Sequence, residues 1–139
     1  MEPNPMKVYG QTVNPISTGA GFLGMPGDST SPSRFVRALT YSATITPAKN
    51  ADENVQMAEH VLHNFDIPKG SIRTTLDKNV FMEFTQWSVI SDLNNLRFYF
   101  STYTYPSLRM LDLKEIDFSK PGLITIPINQ MQKASKAIL

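Results

Sequence analysis

The chain has 139 residues, 13 Lys plus Arg against 12 Asp plus Glu, a net charge of +1 and no cysteine. That length suits one domain with one core, and the near balance of charge excludes both the basic stripe of a nucleic-acid binder and the like-charge block of a solvating tail. Without cysteine, these residues hold no disulfide, no thiolate metal site and no thiol nucleophile.

Residues 1–10, "MEPNPMKVYG", lack the basic start, apolar centre and small-residue cleavage site of an export signal. No apolar run reaches the ~18 residues of a membrane span. A soluble chain is expected, cytoplasmic or periplasmic, with neither membrane nor nucleic acid as partner. Residues 1–30 hold five of the seven glycines and four of the ten prolines, which predicts irregular chain. Structureless stretches beyond ~12–15 residues are uncommon in compact domains, so this one is expected to drape over protein outside the chain.

Residues 31–139 carry the regular structure. Thr30 or Ser31 can cap a first helix, Pro32 suits its first position, and Phe35, Val36, Leu39 and Ala43 share one face before Thr46-Pro47 ends it. Asn50 or Asp52 can cap a second, with Glu53 in its first turn and Val55, Ala58, Val61, Leu62 and Phe65 at helical spacing until "DIPKG". From Ser71 the period changes to two: "SIRTTL", "VFMEFTQWSVISDL", "LRFYFSTYTY" and "SLRMLDL" predict an antiparallel meander, with Asn94-Asn95 as a turn. "GLITIPI" suits a last strand confined by Pro127 to an edge or bulge, and "NQMQKASKAIL" a weak helix or frayed end.

The order predicts an α+β fold, two helices on one face of a mostly antiparallel sheet. Phe98 and Phe100 alternate with Tyr99 and Tyr103, so both sheet faces are apolar. Two helices cover one; the other requires a second sheet or another subunit.

Arg34 and Arg37 stand out. A helix N-terminus carries partial positive charge, so arginines in the first two turns sit at the wrong end. Either both reach surface carboxylates such as Asp28, or the glycine-rich loop lets backbone approach closely and Arg34 is aimed at a buried acidic or nucleophilic group. Helix mechanics leave both open. "GAGFLG", residues 19–24, has the G-x-G-x-x-G spacing but neither a preceding strand nor a phosphate-loop lysine, and reads as a tight loop. His60 and His63 lack an identifiable carboxylate partner and suit a helix C-terminus; no metal and no cofactor is expected. Ser29, Ser31 and Ser33 read as caps and turns, and the aromatic strands, lacking interleaved basic residues, as core or interface.

The segment "GFLGMPGDSTSPSRFVRA", then "HNFDIPKGSIR" and "TQWSVISDLNNLRFYFSTYTYPSLRMLDL", resembles the choloylglycine hydrolase family of bile salt hydrolases and penicillin V acylases, over roughly residues 14–118. The resemblance implies an N-terminal nucleophile amidase of αββα architecture, of which this chain matches about the C-terminal two-fifths. Its sheet would then pack on a sheet supplied from outside these residues. By position Arg34 is the family arginine that reaches the active site beside the N-terminal cysteine, and Arg37 has no carried-over role. The cysteine, its nearby arginine and aspartate and the oxyanion asparagines have no counterpart here, and removing Met1 would expose Glu2. The chain is therefore expected to be inactive alone and to partner either the N-terminal catalytic half or itself. The intact enzyme's substrate would be a conjugated bile salt, penicillin V or an acyl homoserine lactone. The alternative is a non-catalytic module that self-associates or binds a partner through its aromatic sheet face.

Overall fold

The structure is a computed structural model that describes residues 5–14 and 21–128. It falls into two compact units, 1–65 and 66–139. Together they hold two helices and antiparallel sheets, an α+β content as the periodicity predicts.

The first unit opens with a hairpin, β1 (Met6–Val8) against β2 (Gln11–Val13), joined by Tyr9 and Gly10 at φ 46° and 79°. Two left-handed residues in a two-residue loop make the turn whose twist matches paired strands. The sequence reading of 1–30 as wholly irregular is corrected here, since three-residue strands are too short to display a period. Helix α1 (Ser31–Thr44) starts at Thr30 in extended conformation with Pro32 in its first turn. Helix α2 (Ala51–His63) is capped by Asn50, whose Oδ1 accepts from Glu53 N at 2.8 Å, while Glu53 Oε2 accepts from Lys49 N at 2.6 Å. Asp52 and Glu53 at its start and His60 and His63 at its end match the helix dipole. The first turn of α1 has no acidic residue.

The second unit holds a hairpin, β3 (Ile72–Leu76) with β4 (Asn79–Glu83), turned by Asp77 and Lys78 at φ 48° and 68°. It also holds a separate antiparallel sheet of β5 (Trp87–Asp92), β6 (Arg97–Thr102) and β7 (Tyr105–Asp112), in that order. The Asn94-Asn95 turn is present: Asp92 accepts from Asn95 N at 3.0 Å and from Asn95 Nδ2 at 2.6 Å. The expected antiparallel meander forms over β5, β6 and β7, while β3 and β4 make a separate hairpin. "VFMEFTQWSVISDL" breaks at Phe84–Gln86, because Thr85 N donates to Ile67 O at 3.1 Å and Thr85 Oγ1 accepts from Ile67 N at 2.9 Å. Nor does "GLITIPI" form a strand through Ile128; the Ile128 carbonyl accepts from Arg109 Nη2 at 2.8 Å instead. "NQMQKASKAIL" lies outside the described residues.

Burial is sparse. Among the described residues Val55 is the one buried apolar side chain, 8% exposed. The apolar stripe of α1 stays open to solvent, with Phe35 at 65%, and Trp87 on the sheet is 59% exposed. The apolar surface that periodicity marks for a core is present, and most of it is uncovered.

Candidate functional site

The site is built on the loop that enters α1. Gly21 has φ +72°, and a Cβ there would collide with the Asn14 carbonyl oxygen and lie 2.9 Å from its carbon. Only glycine fits such an approach. The chain then turns through Met25 N to Phe22 O at 3.0 Å, and the Phe22 ring packs edge-on to Tyr41 of α1 at 6.5 Å.

The end of the loop is tied to the helix by two devices. Arg37 Nη1 donates to the carbonyls of Pro26 and Asp28 at 2.8 and 2.7 Å, and its guanidinium lies 5.5 Å from the Phe65 ring centre. At 7% exposure Arg37 is a buried cation satisfied by backbone dipoles. The second device is the Asp28 carboxylate. It accepts from Thr30 N at 2.8 Å and from the Ser33 hydroxyl at 2.6 Å, and Thr30 Oγ1 donates to Ser33 Oγ at 3.1 Å. Thr30 makes no side-chain cap of its own; the Asp28 carboxylate, bonded to the Thr30 N–H and the Ser33 hydroxyl, braces the entry to the helix and supplies the negative charge that the first turn lacks.

These hydrogen bonds, the Ser33 hydroxyl first and Thr30 next, hold the Asp28 carboxyl down at about 2, from a usual 3.8. A depressed carboxyl stabilises the fold above its unfolded value, and that contribution is lost as pH falls through its folded value. The thermal midpoint of the helical unit is thus expected to fall between pH 4 and pH 2 more steeply in the parent chain than in Asp28→Asn, as read by circular dichroism. Parallel profiles would show that Asp28 contributes nothing.

Arg34 is treated differently from Arg37. Its backbone N–H donates to Thr30 O at 3.0 Å, but its Nε is buried and has no hydrogen-bond partner among the described residues. It sits at the positive end of the helix dipole, at a cost of about 0.3–1 kcal/mol. It also lies three residues from Arg37, and a like-charge pair on adjacent turns costs about 0.2–0.5 kcal/mol more. Neither arginine binds the Asp28 carboxylate, so the pair of surface salt bridges that the sequence allows is not formed.

Other expected groups are placed as follows. Gly24 of the glycine loop has φ 89°, and Gly19 lies outside the described residues. His60 and His63 stand edge-on at 6.4 Å in the last turn of α2, and no trio of potential metal ligands occurs among the described residues. In the second unit, Trp87, Val89, Phe98, Phe100 and Leu111 line an apolar groove of about 380 Å³ with Ile126 and Ile128. Sequence reasoning missed Arg109 beside it, whose guanidinium lies 4.5 Å from the Phe100 ring and 4.3 Å from that of Tyr105. No described helix is long and apolar enough to cross a membrane.

The profile of the linear amide C–N hydrolases, choloylglycine hydrolase family, matches residues 1–126. The chain belongs to this family. A bile salt hydrolase/transferase from Clostridium perfringens is 30% identical over 127 residues, 89% of this chain and 37% of that protein. An uncharacterized protein of Paramecium bursaria Chlorella virus 1 is 39% identical over 101 residues, 70% of this chain and 36% of the relative. This choloylglycine hydrolase-family chain thus spans little more than a third of the length of those relatives. Among solved structures, a mutant conjugated bile acid hydrolase from Clostridium perfringens superposes with TM-score 0.68 at 22% identity, covering 95% of this chain and 39% of that one. Penicillin V acylase from Agrobacterium tumefaciens gives 0.59 at 24% identity over 70% of this chain and 30% of the other. The fold is that of these amide hydrolases.

Proposed function

We propose that this chain is the arginine-bearing C-terminal portion of a linear-amide C–N hydrolase whose N-terminal cysteine is supplied from outside these 139 residues. The observation that carries this is Arg34, a guanidinium whose buried Nε has no partner among the described residues, at the unfavourable end of its helix, in the motif that resembles the family's site arginine. A cation beside a thiol favours thiolate and orients it. The thiolate adds to the amide carbonyl, the C–N bond breaks, the amine leaves with a proton, and water then cleaves the thioester to release the acid and restore the thiol. Conjugated bile salts, penicillin V and acyl homoserine lactones are the substrate classes to assay.

Intact mass spectrometry of the purified chain under denaturing conditions tests the assembly, with a stoichiometric companion beginning in cysteine as the expected result. In the assembled enzyme Arg34→Ala should lower turnover on the order of 100-fold, with little change in unfolding midpoint. Full activity in that variant would remove Arg34 from the site.

A second reading rests on the uncovered sheet. The groove at Trp87 and Phe100 is apolar throughout, which suits a non-catalytic module that self-associates. A single polypeptide by mass spectrometry, sedimenting as a concentration-dependent dimer, would favour it.

A further inference from the structure

We infer that Arg37 is a positioning residue: its clamp on the Pro26 and Asp28 carbonyls, with the Asp28–Ser33 bridge, fixes the first turn of α1 and so aims the Arg34 guanidinium. This rests on the reading of Arg34 as the group that serves the thiol.

The geometry closes around that turn. Arg37 reaches back from the second turn to carbonyls at 26 and 28, and the Asp28 side chain reaches forward to Thr30 N and Ser33 Oγ. The loop is therefore held on both sides of residue 28, and Ser33 and Arg37, one turn apart on the same face, are both 7% exposed. Arg34 follows Ser33 directly and is only partly buried. Its Nε is the buried side-chain donor of this turn that is left unanswered among the described residues. A capping loop that only needed to start a helix would be served by Asp28 and Thr30. A buried guanidinium spent on two backbone carbonyls goes further and removes the freedom of the loop to shift along the helix. An arginine with no partner among the described residues, repelled by the helix dipole and by its neighbour, swings to solvent unless the turn beneath it is rigid. Arg37 supplies that rigidity without contacting the reacting atoms.

The test uses the full chain labelled with ¹⁵N at low temperature. It reads the Arg34 Nε–Hε resonance, assigned by its loss in Arg34→Lys, with the backbone amides of α2 as a control for folding. Arg37→Met keeps the aliphatic stem and removes both clamping bonds. It is expected to speed exchange of the Arg34 Nε–H with water at least tenfold while the α2 amide chemical shifts still report a folded helix. If Arg37→Met unfolds the helical unit, Ser33→Ala decides, since it removes one hydroxyl of the same network and is expected to act in the same direction. An Arg34 Nε–H unchanged in either folded variant overturns the inference. The proposed function fails separately: full hydrolysis by Arg34→Ala, which removes the cation, in the assembled enzyme would dismiss Arg34 as a site residue while leaving the exchange result standing. With both intact, Ser33→Ala lowers kcat and leaves KM unchanged.

Discussion

Arg37→Met is expected to destabilise the helical unit by about 2–4 kcal/mol, since it removes two charge-assisted hydrogen bonds from a buried site and strands both carbonyl acceptors. The apolar stem is retained and the Phe65 ring still has a neighbour, so the loss reports the guanidinium and not a cavity. In a unit of this size each kcal/mol moves the midpoint by about 4–8 °C, so a fall of at least ~8 °C should be seen by circular dichroism. A shift of less than ~3 °C would mean that water replaces the guanidinium without penalty and that the clamp is ornamental. The carbonyls of Pro26 and Asp28 lie where the loop meets the helix N-terminus, where Thr30 N is bonded to the Asp28 carboxylate and Arg34 N to Thr30 O.

Gly21→Ala is the second large effect. The left-handed backbone alone costs an alanine about 1–2 kcal/mol, and the collision with the Asn14 carbonyl adds the displacement of one backbone segment by another. About 2–4 kcal/mol is expected in all. Gly10→Ala provides the comparison. Gly10 has a similar φ, +79°, with nothing within 4 Å of an added Cβ, so it should lose only the backbone part. Chemical unfolding of the two variants separates conformational cost from close approach. Equal losses would show that the Asn14 segment yields freely, and that the glycine is needed for its dihedral angle alone.

Much of this architecture is legible in the residues. Both helices are marked by local chemistry, Thr30 with Pro32 for one and Asn50 with Glu53 for the other, because caps and 3.6-residue spacing act within a turn. The three-stranded sheet is legible because alternation and Asn94-Asn95 also act locally. What was not legible depends on partners far along the chain. The break before Trp87 is made by Ile67, and "GLITIPI" alternates as a strand does but is engaged by Arg109, nineteen residues before Ile128. The site divides in the same way. Arg34 and Arg37 are one residue type three positions apart, and nothing local tells them apart until the carbonyls at 26 and 28 choose Arg37. The resemblance around "SRFVR" proposes a role for Arg34, but nothing in it tells that Asp28 and Ser33 bridge the turn beneath. A signal for that bridge was present: an aspartate two residues before Thr30, with a serine three residues after Thr30 and a proline between.

The two compact units differ in what they absorb. All the described α-helix lies in residues 1–65, and the single tryptophan of the chain, Trp87, stands on the groove of the other unit. Ellipticity at 222 nm and indole emission therefore watch separate halves of the molecule without any added label. If the two signals melt at one temperature, the units form one cooperative body in solution. If they melt apart, each is its own folding unit, and the indole, being solvent-exposed in the native chain, will shift to the blue whenever anything apolar settles over that face.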